Sequence, residues 1–351
     1  MDPSTLALFW AGVLGCAILF YVILDGFDIG VGVLFGTTRD ENYRAQMMAS
    51  IAPFWDGNET WLVVIGAGLF AAFPDAYAVL LSAFYFPVLL MLFGLIFRGI
   101  AFEFRYRSGG MRPVWDLGFF VGSAAVAFTQ GAAVGAMIRG IPMTNGQYAG
   151  GPLSWLHPFA ILTGIGLVLG YALLGASWLV LKSKGDLRTW AYRRVTWLVV
   201  GVLAVLFLAF SVTFDHSIFA RSNLSARPWG LVFPAIGMLA LIGILVGARS
   251  GRDGVPFAMT CLLFVAAFLS LGVMFWPYMI PYSLTVANAA APDVSLRFLL
   301  FGGIVVLPVL AVYTIGVYWI FRGKVDKPRD RRRADRGLAF ARAPPEASAR
   351  K

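Results

Sequence analysis

Charge is scarce in this chain. Only 13% of its 351 residues are Asp, Glu, Lys or Arg, against about 25% in an ordinary soluble domain, and that shortage excludes a soluble globular fold. Histidine is nearly absent: His157 and His216 are the only two. They support at most one bis-His haem, and as polar residues near the outer ends of apolar runs both are accounted for without one. Two cysteines, Cys16 and Cys261, lie inside apolar runs and give neither a disulfide framework nor a thiolate metal site. The acids have no histidines beside them to complete a non-haem metal cluster. No Walker A or dinucleotide fingerprint occurs. The GxG pieces at Gly30–Gly32 and Gly66–Gly68 sit in apolar runs, where small residues let helices pack closely. The N-terminus, MDPSTLALFW, lacks a basic n-region, and no A-x-A site follows the first apolar run. It therefore reads as an uncleaved first span rather than a signal peptide.

What is present is apolar. Hydrophobic residues make up 59% of the chain and the mean hydropathy is +0.78. Runs of the roughly 20 residues needed to cross a bilayer recur throughout. In lipid such runs must be helical, because every backbone polar group needs an internal partner. They do not alternate polar with apolar, so a membrane barrel is excluded. The reading is an all-α polytopic membrane protein with nine transmembrane helices, near 6–34, 51–73, 76–97, 114–138, 155–181, 195–214, 230–248, 256–276 and 297–321. Nine spans suit two four-helix bundles plus one helix, joined by short loops. Residues 1–325 form one transmembrane domain, and 326–351 a basic, disordered tail.

The net charge of +10 does not point to nucleic acid, because the basic residues stand between apolar runs. They set topology instead. With the N-terminus outside, 24 of the 28 Lys and Arg fall on cytoplasmic segments; Arg139, Arg221, Arg227 and Arg297 are the exceptions. The N-terminus is thus periplasmic and the C-terminus cytoplasmic.

Charged side chains in lipid cost about 2.5–3.5 kcal/mol each, so each needs a reason. In LDGFDIGVG, Asp25 and Asp28 are three apart, on one helix face. In PFWDGNETW the apolar stretch Trp61 to Phe73 is too short to span. The second helix must start near Ile51, drawing Asp56, Asn58 and Glu59 to the membrane edge. The third span ends in FRGIAFEFRYR with Arg98 and Glu103, where snorkelling to the headgroups is the ordinary explanation of an arginine. Five carboxylates, Asp25, Asp28, Asp56, Glu59 and Glu103, are then expected at one depth on three consecutive helices. Carboxylates taken out of water can carry protons, and Arg98 can hold one ionised. The expectation is a proton uptake site facing the cytoplasm, flanked by Trp55 and Trp61.

LDGFDIGVGVLFG, SIAPFWDGNETWLVVIGAGLFAAFPDAYA and FRGIAFEFR together resemble the N-terminal region of cytochrome bd oxidase subunit II. YALLGASWLVLKSKGDL is similar to that family's fifth span; WPYMIPYSLTVANAAAPDVSLRFLL and YTIGVYWIFRGKV are similar to its C-terminal third. The likeness covers roughly residues 7–325 and is loose over 182–260. It implies a haem-free subunit in a heterodimer of the bacterial inner membrane. Subunit I of that heterodimer would carry the b- and d-type haems and the quinol-oxidising loop. The complex oxidises quinol and reduces oxygen to water with cytoplasmic protons, without pumping. The resemblance places Asp56 on the proton path with Asp25, Asp28 and Glu103 near it, and Trp61 beside an oxygen route found in some members. Some members have a neutral residue where Glu59 stands. A structural quinone and small accessory subunits are left open. The residues by themselves also suit a free-standing proton-coupled transporter.

Overall fold

The computed structural model describes residues 3–107, 109–213 and 226–325. His216, Arg221 and the basic tail over 326–351 lie outside the described residues. The described residues are helical almost throughout, and eight described helices are long and apolar enough to cross a membrane.

Helix α1, Thr5–Phe35, starts at a Ser4 cap whose hydroxyl accepts from the Ala7 amide. Helix α2, Glu41–Ile51, was expected to be loop. Asp40 caps it by accepting from the amides of Asn42 and Tyr43, and it buries Met47, Met48 and Ile51. Helix α3, Trp55–Ala72, is the expected second span. It is not among the eight long apolar helices, because Asp56, Asn58 and Glu59 occupy its first turns.

The expected third span, 76–97, divides into α4, Pro74–Ala83, and α5, Tyr85–Phe104. Pro87 explains the break at Phe84, since a proline ring clashes with the carbonyl four residues back, here that of Ala83. The long membrane helix is therefore α5, and it carries Arg98 inside rather than at its end.

Helices α6, Arg112–Arg139, and α7, Pro158–Lys182, follow close to expectation. Between them is a hairpin of β1, Met143–Thr144, and β2, Gln147–Tyr148. Asn145 and Gly146 take the positive φ values of 51° and 77° that a two-residue hairpin turn requires. Helix α8, Gly185–Thr213, starts well before residue 195, because Leu187, Ala191 and Val195 extend its buried stripe through the polar first turns. Helices α9, Val232–Arg249, and α10, Gly254–Phe275, come next. A short hairpin (β3, Tyr278–Ile280; β4, Leu284–Thr285) and α11, Val286–Ala289, lead to α12, Asp293–Ile320.

Helices α7 to α10 close a ring in which each packs on the next and α10 returns to α7. Helices α5 and α6 pack together, α6 on α7, and α1 against α3, α6 and α7, with α12 on α3 and α1. Two close approaches place the polar side chains. A Cβ on Gly30 would stand 1.7 Å from the Tyr171 carbonyl oxygen, so α1 and α7 touch backbone to backbone. A Cβ on Gly94 would stand 2.8 Å from the Gly122 carbonyl oxygen, so α5 and α6 also approach closely, though less so than α1 and α7. Gly30 of the first GxG piece thus serves packing.

Candidate functional site

Asp25 and Asp28 of α1 are fully buried. Arg98, itself 1% exposed, reaches Asp25 from α5. Its Nη2 donates to Asp25 Oδ1 at 2.9 Å, and its Nη1 to Glu59 Oε1 of α3 at 2.8 Å. Asn58, one residue before Glu59, donates from Nδ2 to Asp28 Oδ2 at 2.6 Å and to the Leu24 carbonyl at 2.9 Å. Tyr318 of α12 donates to Asn58 Oδ1 at 3.1 Å. Four helices therefore meet in one polar knot.

The knot holds three carboxylates to one guanidinium. A buried charge is tolerated only when paired and hydrogen-bonded, yet Asp25 Oδ2 and Asp28 Oδ1 have no hydrogen-bond partner among the described residues. Snorkelling does not describe Arg98, whose side chain turns inward to two acids.

The five acids expected at one depth do not all join. Asp56, in the first turn of α3, is exposed. It lies on the same face as Glu59 one turn nearer the helix end and acts on it electrostatically. Glu103 is exposed in the last turn of α5. Five residues beyond Arg98, it points about 140° round the helix and away from the knot. Neither forms an ion pair among the described residues. Trp55 packs on Phe102 with ring centroids 5.4 Å apart. Trp61 is buried against Phe20, centroids 4.8 Å apart, and its indole nitrogen has no hydrogen-bond partner among the described residues.

His157 is the helix cap of α7: its Nδ1 accepts from the Ala160 amide at 3.2 Å. Burial, and then the Arg139 charge, push its pKa below the usual histidine value. With Nδ1 accepting, the neutral ring carries its proton on Nε2. Among the described residues no three His, Cys, Asp or Glu side chains stand together as a metal site.

Sequence reasoning missed a second ionic cluster at the end of α5. Arg105, fully buried, donates from Nη2 to both Glu41 oxygens at 2.7 and 2.9 Å and from Nε to Asp116 at 2.5 Å. Arg44 donates to the other Asp116 oxygen at 2.8 Å, and Arg112 pairs with Glu41. A third cluster lies between α9 and α10. There Asp253 accepts from Arg188 at 2.8 Å, Tyr192 at 2.7 Å and Lys324 at 2.5 Å. Burial opposes ionisation of Asp253, but these three donors outweigh it and hold its pKa near about 2.

Known proteins resemble this chain in sequence and fold. The chain is 30% identical over 369 residues to cytochrome bd-I ubiquinol oxidase subunit 2 of Escherichia coli K12, covering 93% of this chain and 97% of that one. It is 33% identical over 326 residues to cytochrome bd ubiquinol oxidase subunit 2 of Bacillus subtilis 168, covering 88% and 94%. The bd oxidase structure from Geobacillus thermodenitrificans has the same fold, with a TM-score of 0.70 at 12% identity over 91% of this chain and 99% of the other. The profile of cytochrome bd terminal oxidase subunit II matches residues 6–321. A multi-pass helical chain with this match is a subunit of an oxidoreductase complex rather than a free-standing transporter: it belongs to the cytochrome bd terminal oxidase subunit II family.

Proposed function

We propose that this chain is the haem-free subunit of a cytochrome bd-type quinol oxidase in the bacterial inner membrane, and that it supplies part of the cytoplasmic proton path. It spans the membrane nine times, with α3 as the ninth span, its N-terminus periplasmic and its C-terminus cytoplasmic. Subunit I carries the haems, oxidises quinol and reduces oxygen to water.

One observation carries the proton-path reading: two carboxylates share one buried arginine, a third, Asp28, is buried one turn along α1 from Asp25, and Asp25 Oδ2 and Asp28 Oδ1 lack donors among the described residues. Exposure falls along the row. Asp56 is exposed, the Glu59 side chain is 25% exposed, and Asp25 and Asp28 are buried. A proton taken up at Asp56 passes to Glu59 and then to the Asp25–Asp28 pair. Arg98 keeps the excess negative charge tolerable while the acids exchange it. Glu103 has no place in this row.

Among the described residues the single histidine, His157, spends its Nδ1 lone pair on capping α7, which puts the proton of the neutral ring on Nε2 and supports the haem-free reading. Helix α12 presents Val294, Phe298, Phe301 and Val312, each at least 70% exposed, as a broad apolar face open to lipid or to a partner subunit. Trp61 borders the apolar route by which oxygen enters.

The test is to purify the tagged chain from its native membrane and record a reduced-minus-oxidised spectrum of wild type and Asp56→Asn. The expected result is co-purification of a second large subunit with b- and d-type haem bands in both preparations. Quinol oxidase turnover should fall severely in Asp56→Asn alone. Wild-type turnover in that variant would remove Asp56 from the path, and a stable haem-free preparation of this chain alone would refute the oxidase reading.

A further inference from the structure

A row of neutral polar side chains leaves the Arg98 knot in the direction away from Asp56. Tyr21 precedes Asp25 by one turn of α1, so the two side chains lie on one face of the helix. The Tyr21 hydroxyl accepts from Gln130 Nε2 of α6 at 2.9 Å. Gln130 Oε1 in turn accepts from the Tyr171 hydroxyl of α7 at 2.8 Å. Tyr21 and Tyr171 are buried, and Gln130 is half-buried between them.

The orientation of the Gln130 amide decides what this row does. Its Nε2 lies 3.8 Å from the Met91 sulfur of α5. A thioether accepts weakly and cannot donate, so the amide nitrogen belongs on that side and the oxygen faces Tyr171. With Nε2 donating to it, the Tyr21 oxygen has an acceptor role filled, and its proton points onward. Asp25 Oδ2, one turn along the helix and without a donor among the described residues, is the acceptor available. The row is therefore directional: Tyr171 donates to Gln130, Gln130 to Tyr21, and Tyr21 toward Asp25. Bonds aligned in this way polarise one another.

An amide cannot relay a proton without changing tautomer, so the row is not a further stretch of proton wire. We propose that Gln130 is a positioning residue, which with Tyr171 fixes the Tyr21 hydroxyl as a donor to Asp25 and so sets how readily Asp25 takes up and releases a proton. The other groups facing this site are Arg98 from α5, Glu59 from α3, Asp28 on α1 itself, Tyr171 from α7 and Tyr318 from α12. Arg98 supplies the charge; in this proposal Tyr21 is the neutral donor for the carboxylate oxygen that Arg98 does not reach, an oxygen with no hydrogen-bond partner among the described residues. The backbone contact at Gly30 seats this arrangement. The Tyr171 ring lies over Gly26, where a Cβ would stand 2.7 Å from the ring edge.

This inference rests on the proton-path reading, and its test separates the two. The assembled oxidase complex is used throughout, with haem content verifying each variant. Tyr21→Phe removes the donor and keeps the ring. Gln130→Glu places acceptors toward both tyrosines and turns the Tyr21 proton away from Asp25. Gln130→Leu leaves the Tyr21 hydroxyl unfixed. A hydrogen bond to the charged form favours that form. Its loss should move the pH profile of turnover to the alkaline side by about one unit in Tyr21→Phe and Gln130→Glu, and by less in Gln130→Leu. The tyrosine C–O stretch, assigned by its loss in Tyr21→Phe, should report a donor-and-acceptor hydroxyl in wild type and a donor-only hydroxyl in Gln130→Leu. If Asp25→Asn impairs turnover while the Tyr21→Phe and Gln130→Glu profiles superimpose on wild type, the positioning role is refuted. A C–O stretch unmoved in Gln130→Leu refutes it as well. Should Asp25→Asn keep wild-type turnover, the proton path falls instead, and the stretch alone decides the role of Gln130.

Discussion

Helix α5 and the residue that caps its C-terminus bury two arginines seven residues apart, Arg98 and Arg105, and the two are used differently. Arg98 faces Asp25 and Glu59 in the body of the bundle, where the Asp25 carboxylate is fully buried and Glu59 mostly so. Arg105 closes the end of the helix on Glu41 and Asp116, and the Glu41 side chain is 45% exposed. The guanidinium is sealed in both, but at Arg105 solvent shares the acids. There the oxygens of Glu41 and Asp116 are engaged and it is the arginine's own Nη1 that lacks a partner. At Arg98 the unmet atoms are carboxylate oxygens. The first pattern is a clasp that ties α2, α5 and α6 together. The second is an excess of buried acid, which has a use if protons pass through it.

Breaking each site should expose that difference. The largest effect is expected from Arg98→Gln, which strands buried carboxylates. Removing one partner of a buried pair costs about 3–5 kcal/mol, so the yield of assembled complex and its thermal stability should collapse. Arg105→Gln should cost less, because Glu41 can turn to water, and turnover per haem should stay at the wild-type level. Equal losses in the two variants would erase the distinction.

A smaller effect sharpens the contrast with the third cluster. Asp253 has more donors than it needs, and its pKa is depressed to about 2. A depressed carboxylate contributes stability above its unfolded value, near pH 4, and loses it as pH falls through the folded value. The stability gap between wild type and Asp253→Asn should therefore narrow between about pH 4 and about pH 2, with turnover at neutral pH unchanged. A gap that is constant with pH would contradict this. The smallest effect is expected at Trp61, where Trp61→Ala should change the apparent KM for oxygen without changing the pH profile.

Much of this was legible from residue order. Apolar runs located the long helices because lipid imposes one solution on the backbone. The acids of LDGFDIGVG and DGNET were conspicuous because charge in such runs is costly. The burial of Arg98 was not legible, since a helix-end arginine and an inward-turned one differ only in how the neighbouring helices are rotated. Pro87 was the available signal that the third span starts later and carries Arg98 inside. Glu103 stands apart from the knot because depth in the membrane does not fix angle around the helix: five residues beyond Arg98 it faces about 140° away. The Arg105 clasp escaped because Glu41 and Asp116 lie in segments read as a loop and as the polar start of a span. Gln130 stood out only as an amide in an apolar run, and its role depends on which tyrosines α1 and α7 bring to it.

The central claim is that the Arg98 knot conducts protons to the oxidase. The direct test is to react the fully reduced complex with oxygen and follow proton uptake from the cytoplasmic side in wild type and Asp25→Asn, with haem content matched. The account predicts uptake slowed by at least about a hundredfold in the variant, while the haems still bind oxygen. Uptake at the wild-type rate would contradict it and leave the buried acids as a structural feature only.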